Sequence, residues 1–172
     1  MPLPVLFTLL LSLSSFAATP HKGMNGDCAA YRMNLREELG FWKLGAIALT
    51  TEKGKNDLIL PLDRRVKLEL RKDAKLTHQP SRKPSAPYAA VMPLRMANDG
   101  LYRVALGSKA WLEVFDREGK RVKEHSFEMQ TRCDPIFKVV RFELQGGRDY
   151  LLQLTSSPSE TIDVSVSREQ PK

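Results

Sequence analysis

Beyond Gly100 the chain alternates between short runs rich in Val, Leu, Tyr, Phe and Trp and polar breaks built on Gly, Asp or Ser, a punctuation that few folds besides packed sheets can use. Leu101-Tyr102-Arg103-Val104-Ala105-Leu106 is followed by Gly107-Ser108-Lys109 and then Ala110-Trp111-Leu112-Glu113-Val114-Phe115, which reads as strand, tight turn, strand. Asp116-Arg117-Glu118-Gly119-Lys120 is a second polar turn, with a glycine able to take positive φ. Further strands are expected at Ile136 to Leu144, Asp149 to Thr155 and Thr161 to Ser167, parted by Gly146-Gly147 and Ser156-Ser157-Pro158-Ser159. Upstream, Val66, Leu68 and Leu70 interleave with Lys67 and Glu69, the pattern of a half-buried strand. Leu58-Ile59-Leu60 is a shorter apolar strand turned at Pro61-Leu62-Asp63. Short strands at this spacing predict an all-β fold, an antiparallel jelly-roll-like β-sandwich.

One early stretch departs from the pattern. Leu35, Leu39 and Trp42 fall at i, i+4 and i+7 behind Asn34, a good N-cap residue, and predict one short N-terminal helix. Gly40 and Gly45 limit it to about two turns. The indole is expected to pack on the sandwich.

The first residues, Met1 to Thr19, are uncharged and apolar and end in small side chains, the pattern of a cleaved signal peptide. Ser15 and Ala17 suit a cut at Ala17/Ala18, with Ala18/Thr19 nearly as good. The apolar run falls short of the ~20 residues that span a bilayer. Residues 1–17 are therefore assigned to the leader and 18–172 to a single domain, long enough to bury a core. The expected location is the periplasm, with no membrane span after the leader is removed.

The chain has two cysteines, Cys28 and Cys133. Their wide separation suits one bridge in an oxidising compartment; a reactive or metal-binding pair is the rival, and no CxxC spacing supports it. A bridge there closes a loop for which the chain-entropy model gives roughly 4–5 kcal/mol.

Chemistry-bearing motifs are sparse. Neither GxSxG nor SxxK occurs, no glycine-rich phosphate loop follows a strand, and His21, His78 and His125 form no HxH or HxxxH pair. No catalytic, cofactor-binding or metal-ligating residue is assigned, and no cofactor is expected. The 27 Lys and Arg outnumber the 20 Asp and Glu, which fits an anionic partner or plain solubility equally. Nucleic acid is not the expected partner, because Tyr88, Tyr102, Trp111 and Phe115 fall among apolar residues, as core aromatics do, rather than on a basic face.

The stretch from Arg71 to Pro87 is the least strand-like, with Pro80, Pro84 and Pro87 beside Arg71, Lys72, Lys75, His78, Arg82 and Lys83. It is expected as an exposed loop, and those six residues are the candidate anion- or partner-binding set; an ordinary solvated crossover has the same composition.

Gly100-Leu101-Tyr102-Arg103-Val104-Ala105-Leu106, Ala110-Trp111-Leu112-Glu113-Val114, Cys133 with Lys138-Val139-Val140 and Phe142-Glu143-Leu144, and Tyr150-Leu151-Leu152-Gln153-Leu154 together resemble a family of small exported proteobacterial proteins. The resemblance extends back through Glu38-Leu39-Gly40-Phe41-Trp42 to Cys28. Some members bear a homogentisate dioxygenase name; that activity needs two histidines and a carboxylate on iron in a much larger cytosolic protein, and the name is not carried over. The same half is similar, more loosely, to the bacterial pre-peptidase C-terminal domain and to jelly-roll carbohydrate-binding modules. The resemblance implies a binding or accessory module that engages an envelope protein, or an anionic glycan or lipid, through exposed loops. The alternatives are a small periplasmic hydrolase using His78 or His125 with nearby acids, and a periplasmic enzyme inhibitor whose loop is stiffened by the three prolines.

Overall fold

The computed structural model describes residues 28–50 and 59–170. The expected leader and its cleavage site, with His21 and Leu58, lie outside the described residues.

Among the described residues ten strands form two sheets. They are β1 (Ile47–Leu49), β2 (Val66–Glu69), β3 (Tyr88–Met96), β4 (Gly100–Leu106), β5 (Trp111–Asp116), β6 (Arg121–Val122), β7 (Glu124–Met129), β8 (Lys138–Leu144), β9 (Arg148–Ser157) and β10 (Thr161–Arg168). The six-stranded sheet runs β1-β2-β10-β4-β8-β7 and the four-stranded sheet β3-β9-β5-β6. Successive long strands switch sheets, the winding of a jelly roll, so the expected antiparallel sandwich is what forms. Among the described residues only the small β1 pairs in parallel, with β2.

The period-two pattern sets the core. Val66 and Leu68 of β2, Ile162, Val164 and Val166 of β10, Tyr102, Val104 and Leu106 of β4, and Val140, Phe142 and Leu144 of β8 are all buried in one cluster facing Met92, Leu94, Val114, Leu152 and Leu154 of the other sheet. Side chains opposite one another across an antiparallel ladder share a face, and the registers Val104↔Val140 and Val166↔Val104 carry that face across the sheet.

The predicted helix is α1 (Arg36–Lys43), but its N-cap is Leu35, without a side-chain cap, rather than Asn34, whose Oδ1 accepts the Arg36 amide 3.1 Å away just before the helix. Leu35, Glu38 and Trp42 lie on its buried face, over the outer side of the six-stranded sheet. Trp42 Nε1 donates to Ser165 Oγ at 2.8 Å, so a serine on the nominally wet face of β10 is buried. Gly107 has no side chain where the indole passes, and a Cβ there would sit 3.1 Å from the Trp42 ring. The segment before the helix is held by the Cys28–Cys133 disulfide and by Glu128, whose carboxylate accepts the Arg32 and Met33 amides.

Two long strands lack a strong sequence signature. β3 carries Pro93 in its middle, which is tolerated because β3 is an edge strand: the Pro93 carbonyl faces away from β9 and accepts the Leu60 amide at 3.0 Å. β7 is polar along most of its length, as edge strands often are. Residues 59 and 60, expected in a strand, lie outside regular structure, although Leu60 is fully buried.

Candidate functional site: a cleft between two sheet edges

One side of the sandwich stays open. β6 pairs only with Val114 and Phe115, so the Trp111–Glu113 portion of β5 has no strand beside it on that edge among the described residues. Across the gap lies β7, the edge of the other sheet. Phe127 and Met129 of β7 are in register with Val140 and Lys138, and so continue the inward-facing side. They nevertheless remain 56% and 51% exposed. The space between the two edges is a cavity of about 410 Å³, walled by Trp111, Leu112, Phe127, Met129, Val140 and Phe142. Its size falls within the ~300–1,000 Å³ typical of small-molecule sites.

The mouth of the cleft is cationic. Lys138 opens β8 and has the same parity as Val140 and Phe142, so its side chain starts toward the core. It is 7% exposed. Its Nζ lies 5.2 Å from the Trp111 ring centroid and 5.9 Å from that of Phe127. Arg82 Cζ lies 4.6 Å from the same Trp111 ring. Among the described residues neither cation has an ion-pair or hydrogen-bond partner. Burial pushes the Lys138 ammonium below its usual range and the Arg82 charge pushes the same way, with Glu124 opposing them. Trp111 Nε1 is buried without an acceptor.

Arg82 is delivered by the 71–87 loop, which lies across the outer face of the four-stranded sheet. Gln153 grips the loop at His78, accepting the His78 amide at 3.3 Å and donating to its carbonyl at 3.0 Å. Buried Glu113 accepts the Ser81 amide at 3.1 Å and faces Arg121 Nη1 at 3.4 Å. Ser156 Oγ accepts the Ser85 amide at 3.0 Å. The Ser81 anchor places the next residue, Arg82, at the rim.

The other loop candidates are elsewhere. Arg71 chelates Asp73 through Nε and Nη2, at 2.9 and 3.2 Å. Lys72 stands over the Tyr88 ring at 5.3 Å. Lys75 and Lys83 are exposed. The His78 imidazole packs on Phe115 with ring centroids 4.5 Å apart, and it fills the space over Gly119, which turns with φ 82°. Of the six, only Arg82 lines the cleft. His125 is exposed on β7, and no group of three His, Cys, Asp or Glu side chains among the described residues is placed to hold a metal ion.

Trp111, grouped by sequence with core aromatics, forms a wall of the cleft instead. Lys138, Phe127 and Met129 carried no motif, yet the parity of Lys138 with Val140, Phe142 and Leu144 was a usable signal: a lysine at a core position of a strand.

No family model matches the chain, and no curated protein matches it.

Proposed function

We propose that the protein is a binding module that holds the apolar part of a ligand in the cleft between β5 and β7 and works in an oxidising, extracytoplasmic compartment such as the periplasm. One observation carries the reading: Phe127 and Met129 sit in register with core residues but stay more than half exposed, on the wall of a 410 Å³ apolar cavity. Apolar side chains aligned with a core yet open to water mark an interaction or ligand site. The location is supported by the disulfide between Cys28 and Cys133 and by the signal-like start of the chain. No helix among the described residues is long and apolar enough to cross a membrane.

The test is titration with N-phenylnaphthylamine, a neutral apolar fluorophore that brightens out of water. The native protein should give saturable enhancement, and Phe127→Glu, which puts a charge in the wall, should abolish it. A native protein that leaves the dye dark would exclude the cleft as an apolar ligand site.

A further inference from the structure

The cationic mouth of the cleft says what kind of head the ligand carries; this step rests on the cleft being a ligand site. An ammonium taken out of water costs several kcal/mol unless a counter-charge and hydrogen bonds compensate it. Lys138 makes no ion pair or hydrogen bond among the described residues, and the charge acting on it most strongly is a second cation, Arg82, which Glu124 opposes more weakly. The indole contact at 5.2 Å offsets part of that cost, since cation–π contacts contribute ~0.5–2 kcal/mol. Two like charges at the mouth of an apolar slot form a receptor for an anion joined to an apolar body.

The lining also limits that anion. Glu113 and Glu124 face the same cavity, and Glu113 already occupies Arg121. Arg82, Lys109 and Lys138 remain against Glu124, so the head is an anion, and a monoanion is repelled less than a dianion by the two carboxylates. The cavity, near the lower end of small-molecule sites, has room for one chain. We propose that the cleft binds a free fatty acid, its acyl chain between Phe127, Val140 and Phe142 and its carboxylate accepting from Lys138 and Arg82.

Displacement of N-phenylnaphthylamine by dodecanoate, dodecanol, dodecyl phosphate and dodecyltrimethylammonium, each below its micelle concentration, tests this on the native protein, Lys138→Met and Arg82→Gln. Native protein should prefer dodecanoate over dodecanol by about tenfold or more, the worth of one charge-assisted hydrogen bond. Lys138→Met should erase that preference and leave dodecanol affinity unchanged. Arg82→Gln, at an exposed position that carries no folding risk, should reduce the preference several-fold. From octanoate to dodecanoate, affinity should rise roughly fourfold per methylene. Equal binding of acid and alcohol, or a preference that survives both substitutions, overturns the head-group assignment while leaving the apolar cleft standing. Tighter binding of dodecyl phosphate than dodecanoate overturns the carboxylate in favour of a phosphate lipid. If none of the four displaces a dye that does bind, the cleft takes apolar groups of another kind and the fatty-acid proposal fails.

Discussion

Arg103 on β4 and Lys138 on β8 are equally hidden, each 7% exposed, on neighbouring strands of one sheet, yet their surroundings are opposite. Arg103 points to the outer face, beneath α1. Its Nη1 donates to the Asn34 carbonyl at 2.7 Å and to both Glu38 oxygens at 3.1 and 3.2 Å, and its Nη2 meets Glu169 at 3.0 Å. Ser167 donates to Glu38, and Arg141 meets the other Glu169 oxygen at 2.9 Å. Burial, the largest effect on Arg103, works against its charge, but the Glu169 bond and the Glu38 charge outweigh it and hold the guanidinium above its usual range. Lys138 points inward with no ion pair among the described residues, and burial with the Arg82 charge pushes its ammonium down against the weaker pull of Glu124. The same degree of burial therefore marks a structural charge in one place and an unmet charge in the other. Charges of the second kind, kept at a cost in stability, cluster at functional sites.

The largest expected effect lies on the structural side. Arg103→Met would leave fully buried Glu38 without its cation, and chemical unfolding should show a loss of ~3–5 kcal/mol. A loss below about 1 kcal/mol would mean the network is far better hydrated than its burial implies. Next comes the Cys28–Cys133 bridge, which fixes the segment leading into α1. Its replacement by paired serines should cost roughly 2–5 kcal/mol in urea unfolding, with the reduced native protein matching the variant. If reduction has no effect, the bridge does not constrain the unfolded chain as proposed.

A smaller effect is pH-dependent. Burial alone would raise the Glu169 carboxyl, but bonds from Arg103 and Arg141 prevail and hold it below its ordinary 4.5. The unfolded chain then binds the proton more tightly. The stabilisation is complete above about pH 4.5 and is lost as pH falls through the lower folded value. Glu169→Gln should flatten that acid limb of the stability curve. An unchanged limb would assign acid sensitivity to other carboxylates.

β4, β5, β8, β9 and β10 were legible because alternation and turn residues agree there, as in Leu101–Leu106 followed by Gly107-Ser108-Lys109, whereas the two-residue β6 and polar β7 were not. β3 was obscured by Pro93, whose acceptability depends on the strand lying at an edge, a fact of topology rather than of local pattern. The burial of Ser165, Ser167 and Arg103 was hidden for a related reason: alternation marks them as wet, and only the docking of α1 covers them. Glu38 shares a helix face with Leu35 and Trp42, but its partners come from strands more than sixty residues away. The cleft was half readable. Lys138 shows its core parity in sequence, whereas Arg82 could be distinguished from its basic neighbours only by the Ser81–Glu113 contact that aims it.

Lys138→Met tests the contrast most directly, through its unfolding free energy in the absence of any ligand. If Lys138 is an unmet charge kept for an anion, an apolar side chain of similar length should stabilise the protein by ~0.5–2 kcal/mol near neutral pH. Native protein should also gain stability as pH rises from the lowered Lys138 value toward 10.5, where the unfolded chain holds the extra proton, and the variant should lack that gain. Destabilisation by 1 kcal/mol or more would mean that the ammonium already has a partner in the folded chain, and Lys138 would belong with Arg103.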